Sequence, residues 1–138
     1  MIIKNVKISE ISNLETNATM DILCPELVDF VEKQPKRKGI IVLPGGAYRF
    51  RSNRETFPVA FKFCNLGYNV FIINYTTFDF GKEGFFPTPH LEVMSCFKYL
   101  REHHEELNLD KDHLFLLGFS AGGHLAGSYP FVSKEKLL

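Results

Sequence analysis

Runs of apolar residues alternate along this chain with stretches whose apolar positions recur every three or four residues. Ile40-Ile41-Val42-Leu43, Val70-Phe71-Ile72-Ile73 and Leu114-Phe115-Leu116-Leu117 are continuously apolar, as expected of strands covered on both faces of a sheet. Two further strands are predicted before them, near Ile2 to Ile8 and Ala18 to Cys24, followed by a polar linker that ends at Gly39. After the first buried run, Phe57, Ala60, Phe61 and Cys64 stand at i, i+3, i+4 and i+7, one face of a helix. Ser52-Asn53-Arg54-Glu55 reads as its capping box, Pro58 delays its start, and Gly67 marks its end. A phenylalanine-rich loop then runs from Thr76 to Thr88, and its Phe78, Phe80, Phe85 and Phe86 are expected to cover the sheet end as core in preference to lining a pocket. Thr88 as N-cap and Pro89 at the first helical position open a second helix, whose stripe is Val93, Cys96, Phe97, Leu100, His104 and Leu107. A short turn over Asn108 to Asp112 leads into the third buried run, which ends at Gly118.

Strand, helix, strand, helix, strand with short connections is the pattern of crossovers in a parallel-rich sheet with helices on both faces. The fold class is α/β, and residues 1–138 are expected to form one domain. In such sheets reactive groups gather at the carboxyl ends of the strands. Both of the chain's glycine clusters fall there.

Composition narrows the partners. Sixteen basic and sixteen acidic residues cancel, so no net field draws the chain to nucleic acid or anionic lipid. The basic cluster Lys33, Lys36, Arg37 and Lys38 is interleaved with Glu32, Gln34 and Pro35, which predicts a solvated loop and not a binding patch. No apolar run has the length of a membrane span, and the first residues lack the apolar core of a signal peptide. The expected compartment is the cytoplasm. Three widely spaced cysteines, Cys24, Cys64 and Cys96, sit in apolar surroundings and are expected as reduced, buried thiols. Neither a metal site nor a cofactor is expected.

The chemistry lies in Gly118-Phe119-Ser120-Ala121-Gly122, which matches G-x-S-x-G. In that motif a strained strand-to-helix turn lifts the serine hydroxyl above the sheet, and small residues two positions to either side avoid clashes in the bend. The N–H of Ala121, at the start of the following helix, is placed to hold an oxyanion, and the helix dipole assists it. Alone, the pattern would occur in roughly one random chain of this length in twenty; a buried strand before it and a helix start after it raise its weight. The second cluster, Pro44-Gly45-Gly46-Ala47-Tyr48, follows the first buried strand. By itself it fits a plain strand-end turn equally well. With the elbow two strands later, Gly45 and Gly46 are assigned the other half of an oxyanion hole.

These two clusters, with Gly67-Tyr68 leading to Asn74-Tyr75 and with Gly123-His124-Leu125-Ala126 extending the elbow, resemble the α/β-hydrolase superfamily. The nearest resemblance is to its acetyl-esterase and lipase-like group, related to the hormone-sensitive-lipase and prolyl-oligopeptidase branches. It covers about residues 18 to 130, in order. The resemblance implies a carboxylic-ester hydrolase acting on small acyl esters, acetylated sugars among them, with Ser120 as nucleophile and with Ala121 and the Gly45 to Ala47 turn holding the oxyanion. Pro44 and Ala47 stand where many relatives carry histidine and a third glycine, which leaves the backbone role intact. A peptidase of the same fold is the neighbouring alternative, since esters and amides use the same constellation.

In that superfamily the acid and the histidine follow the nucleophile in chain order. Here no aspartate and no histidine follows His124, and Ser128-Tyr129-Pro130 is expected to break the helix after the elbow. A serine without a base is a poor nucleophile. His124 lies one turn along the same helix, with its ring expected beside that turn and not over the hydroxyl. His90 and Asp79 lie in or beside the loop that leaves the second buried strand, on the carboxyl side of the sheet. His103 and His104 are adjacent on a helix and point apart, and His113 precedes a strand at its amino end. None makes a convincing base. The run Leu114 to Leu117 likewise has no later strand to pair with, and its apolar edge predicts self-association. The expectation is an incomplete α/β-hydrolase fold, the N-terminal half of a longer enzyme, inactive alone and at most a binding or self-associating module.

Overall fold

The computed structural model describes residues 1–25, 35–77 and 86–134. Lys33, Phe78, Asp79, Phe80 and Phe85 lie outside them. The elements are β1 (Ile2–Lys7), α1 (Ile8–Ile11), β2 (Thr19–Cys24), β3 (Arg37–Leu43), α2 (Phe57–Asn65), β4 (Asn69–Asn74), α3 (Thr88–Glu102), β5 (Leu109–Gly118) and α4 (Ala121–Lys134). The five strands form one sheet in the order β1-β2-β4-β3-β5. β1 pairs antiparallel with β2, and β2 with β4, while β3 runs parallel to both β4 and β5. The sheet is thus mixed, with its parallel part where the three apolar runs predict it.

Because side chains alternate across a strand, each strand feeds two cores. Ile40 and Val42 of β3, Val70 and Ile72 of β4, and Leu23 of β2 face α2, which buries Ala60 and Cys64 against them. Ile41, Leu43, Phe71 and Ile73 face the other way, into a larger core with Ile8, Val93, Cys96, Phe97, Leu100 and Leu125 from α1, α3 and α4. Burying each such aliphatic or aromatic side chain contributes about 1.5–3 kcal/mol. The chain moves from β3 to β4 in one direction and from β4 to β5, on the far side of β3, in the other. The crossover helices α2 and α3 therefore lie on opposite faces, and a crevice opens where the order reverses. That crevice is at the carboxyl end of β3.

Cys24, Cys64 and Cys96 are free and buried, as their surroundings predict. Burial pushes the Cys24 thiol up to about 11 and raises those of Cys64 and Cys96 as well, so all three stay protonated and unreactive.

Several element ends differ from expectation. Ser52 makes no capping hydrogen bond; Asn53–Glu55 is a short 3-10 turn, and α2 starts after Thr56. Phe61 is 41% exposed, because the narrow stripe of Ala60 and Cys64 is what meets the sheet. Gly67 does end α2: its N–H donates to the Cys64 carbonyl and the Tyr68 N–H to that of Phe63, a Schellman closure. Pro87, not Thr88, occupies the cap of α3, and the helix stops at Glu102, so His104 and Leu107 lie beyond it. Phe86, expected as core, is 56% exposed and meets the His90 ring edge-on. Arg37 and Lys38 belong to β3 and not to a loop. The half-buried Arg37 donates to the Gly67 carbonyl, and Lys36 pairs with Glu105 at 2.6 Å.

β5 begins at Leu109, where a turn was expected, and an irregularity separates its Leu109 pairing with Arg37 from its Leu114 pairing with Gly39. It is also less buried than its apolar run suggests: Phe115 is 48% exposed, since among the described residues β5 has a strand on one side only. α4 continues through Pro130 to Lys134, where a break was expected. Proline in a helix interior costs about 3 kcal/mol. Here Pro130 is exposed, while Tyr129 stacks on Phe97 at 5.4 Å and Val132 is buried, so packing on either side of the proline holds the helix.

One buried carboxylate fixes the loops around this core. Glu92 of α3, fully buried, accepts hydrogen bonds from the Thr76 N–H at 2.7 Å, the Thr76 hydroxyl at 2.6 Å and the Thr16 hydroxyl at 2.5 Å. Glu92→Leu would leave these donors without an acceptor and is expected to lower stability by about 3 kcal/mol, with Glu92→Gln costing less than half as much. Urea midpoints of the two variants check the ordering.

Candidate active site

The last register pair of the parallel ladder is Leu43 with Gly118, so the two glycine clusters leave the sheet side by side. Past that pair the Phe119 N–H still donates to the Leu43 carbonyl, at 3.1 Å. The chain then reverses sharply. Ser120 has φ 53°, left-handed for a non-glycine residue, and the Gly122 N–H closes on the Phe119 carbonyl at 2.9 Å. The His124 N–H donates to the Ser120 carbonyl at 2.9 Å, so α4 begins within a residue of the bend. Ser120 is exposed and Ala121 buried beneath it. No described residue forms a hydrogen bond with the Ser120 hydroxyl.

Close approach explains the glycines. A Cβ on Gly122 would collide with the carbonyl oxygens of Leu43 and Pro44, because the start of α4 lies directly on the end of β3. A Cβ on Gly45 would stand 2.7 Å from the Phe119 carbonyl oxygen and 3.1 Å from the Ser120 Cβ. The turn after β3 thus lies against the elbow, with its backbone nearest the serine.

That turn is held from several sides. The N–H groups of Arg49 and Phe50 donate to the Gly46 carbonyl and that of Ser52 to the Gly45 carbonyl. The Tyr75 hydroxyl donates to the Pro44 carbonyl, and burial pushes that phenol up to about 12, so it remains a donor. The Gly45 N–H donates to Glu55 Oε1 at 3.2 Å. The glutamate read as a helix cap therefore caps the turn instead, and it engages one of the N–H groups assigned to the oxyanion. The sequence places Glu55 in a capping pattern and Tyr48 and Tyr75 within the quoted motifs, but their pairings are not legible there, because the partners are distant along the chain. A cavity of about 430 Å³ opens at the same edge of the sheet, lined by Arg51, Asn53, Thr56, Phe57 and Asn74.

The histidines do not converge on Ser120. His90 is buried and pairs through Nε2 with the Ser128 hydroxyl at 2.8 Å; Ser128 lies eight residues along α4 from Ser120, about 12 Å at 1.5 Å per residue. Its suggested partner Asp79 is outside the described residues. The His124 ring turns to Tyr48, with Nδ1 2.6 Å from the phenol oxygen. His103 stacks on Tyr99, and His113 pairs with Asp110 at 2.7 Å. Among the described residues no cluster of three or more His, Cys, Asp or Glu side chains could hold a metal, and no helix is long and apolar enough to cross a membrane.

Burial, and then the nearby His124, hold the His90 imidazole below its ordinary 6.5. The folded chain therefore binds that proton less readily than the unfolded chain, so the contribution is complete above 6.5 and is lost as pH falls from there through the lower folded value. Urea midpoints measured against pH are expected to decline on the acid side, and His90→Gln to flatten the decline. An equal slope in the variant would contradict this.

The sheet order, the elbow after β5 and the glycine turn after β3 together define an α/β hydrolase. The chain belongs to the BD-FAE family, whose model matches residues 20–137. It is 32% identical over 93 residues to endo-1,4-beta-xylanase B of Butyrivibrio fibrisolvens, covering 67% of this chain and 15% of that protein. It is 29% identical over 102 residues to the acetylxylan esterase of Xylanibacter ruminicola, covering 73% of this chain and 20% of that protein. Among solved structures it resembles MGS-M1, an α/β-hydrolase enzyme from a Medee basin deep-sea metagenome library, with TM-score 0.78 and 30% identity over 91% of this chain and 49% of that one. The chain thus spans about half of that structural relative and a smaller share of the two sequence relatives.

Proposed function

We propose that this chain carries the nucleophile and oxyanion half of a serine hydrolase of carboxylic esters, acting on small acyl esters, acetylated sugars among them. The observation that carries the reading is the apposition of two backbone turns: Ser120, in the left-handed region at the head of α4, lies beside the Gly45–Gly46 turn from the neighbouring strand. The Ser120 hydroxyl attacks the acyl carbon, its proton passes to a base, and the carbonyl oxygen becomes an oxyanion facing N–H groups of Ala121 and of the turn. Since Gly45 already donates to Glu55, Gly46 and Ala121 are the donors assigned to the oxyanion, with Gly45 providing the close approach. Loss of the alcohol leaves an acyl-enzyme, which water releases as the acid. The acid and base of the triad are assigned to a segment beyond these residues.

The similarity to an acetylxylan esterase favours an acetyl ester on a sugar. The test is turnover of p-nitrophenyl acetate and of acetylated xylo-oligosaccharide, against a p-nitroanilide peptide, by the chain extended to the length of its relatives. Ester turnover without amide turnover is expected; the reverse would move the reading to a peptidase. The 138-residue chain alone is proposed to be inactive, because no described side chain is placed to take the Ser120 proton.

A further inference from the structure

The two turns of the candidate site are joined by a side-chain pair that neither glycine pattern predicts. The phenol oxygen of Tyr48 lies 2.6 Å from Nδ1 of His124, and the two rings meet edge to face at 5.7 Å and 88°. Tyr48 belongs to the turn after β3. His124 belongs to the first turn of α4, and its own N–H donates to the Ser120 carbonyl. On its other side the Tyr48 ring meets Tyr75 at 6.1 Å, and Tyr75 in turn holds the Pro44 carbonyl.

We infer that Tyr48 and His124 form a clamp that fixes the oxyanion turn against the nucleophile helix, making both of them positioning residues for acyl transfer at Ser120. The inference rests on the reading of Ser120 and the glycine turn given above. Its physical motive is strain. Ala47 and Tyr48 have φ 56° and 61°, two successive non-glycine residues in the left-handed region, each costing about 1–2 kcal/mol. Such conformations persist where the surroundings hold them in place. Tyr48 immediately follows Gly46 and Ala47, so anchoring its far end orients the peptide groups assigned above to the oxyanion. The anchor itself cannot drift, because displacing His124 breaks the hydrogen bond that starts α4. The bond also tolerates either charge on the ring: neutral imidazole accepts the phenol proton at Nδ1, and imidazolium donates to the phenol oxygen. A base must change its protonation to work, whereas this contact survives the change.

The test uses the ¹⁵N-labelled chain, with no requirement for turnover. In Tyr48→Phe the His124 Nδ1 resonance is expected to shift, and the amides of Phe50 and Ser52, which donate to the Gly46 and Gly45 carbonyls of the turn, to exchange roughly tenfold faster while those of β3 and β4 keep their rates. His124→Phe is expected to give the same local acceleration, and the double variant no more than either single one, since both remove one contact. Additive effects, unchanged exchange, or acceleration throughout the sheet would overturn the clamp. In the extended chain the same variants are expected to lower kcat on p-nitrophenyl acetate at unchanged KM. If Ser120→Ala left that hydrolysis intact, the nucleophile assignment would fail while the exchange result stood, so the two failures are distinguishable.

Discussion

Gly122→Val is expected to abolish the folded elbow and to lower the stability of the whole chain by more than about 3 kcal/mol. Overpacking a core usually costs about 1–3 kcal/mol because side chains can shift. Here the collision is with the backbone carbonyls of Leu43 and Pro44, which are fixed by the ladder between β3 and β5. Relief requires α4 to lift from the sheet, and that would expose Leu125, fully buried in the larger core. Gly127 is the matched control five residues along the same helix. A Cβ there would meet nothing within 4 Å, so Gly127→Ala is expected to be neutral or to stabilise by about 0.5–1 kcal/mol through helix propensity. Chemical unfolding of the two variants separates a steric requirement from a general intolerance of α4 to substitution. Equal midpoints would show that the helix start does not rest on β3 as described.

Ser120→Ala is expected to lower ester turnover by the extended chain by roughly four orders of magnitude or more, with the remainder coming from binding and oxyanion contacts. Its stability should not fall. A left-handed conformation is no harder for alanine than for serine, and the hydroxyl has no hydrogen-bond partner among the described residues to lose. A variant inactive but folded, with an unchanged unfolding midpoint, is the expected combination. Loss of both together would make Ser120 a structural residue of the bend.

The parts of the fold that were legible in the sequence are those decided by local periodicity. Continuous apolar runs placed β3 and β4, because both faces of those strands are covered, and i, i+3, i+7 spacing placed α2 and α3. Element ends set by distant packing were not legible. The pairing of Leu109 with Arg37 extends β5 backwards, and Tyr129 stacked on Phe97 carries α4 across Pro130. The site divides in the same way. Gly45 and Gly122 were conspicuous because close backbone contact requires a missing side chain, and that requirement is written in the residue itself. Glu55 on the Gly45 N–H, Tyr75 on the Pro44 carbonyl and Tyr48 on His124 are pairings between residues 10, 31 and 76 positions apart. Such pairings depend on the finished fold.

The role proposed for Ser120 is that of a nucleophile for which no described residue supplies the base. Fluorophosphonate labelling followed by peptide mass mapping tests it most directly, comparing the 138-residue chain with the chain extended to the length of its relatives. Rapid, stoichiometric modification of Ser120 is expected in the extended chain, and none on the same timescale in the shorter one. Rapid labelling of the 138-residue chain, or modification of another residue in the extended one, would contradict it.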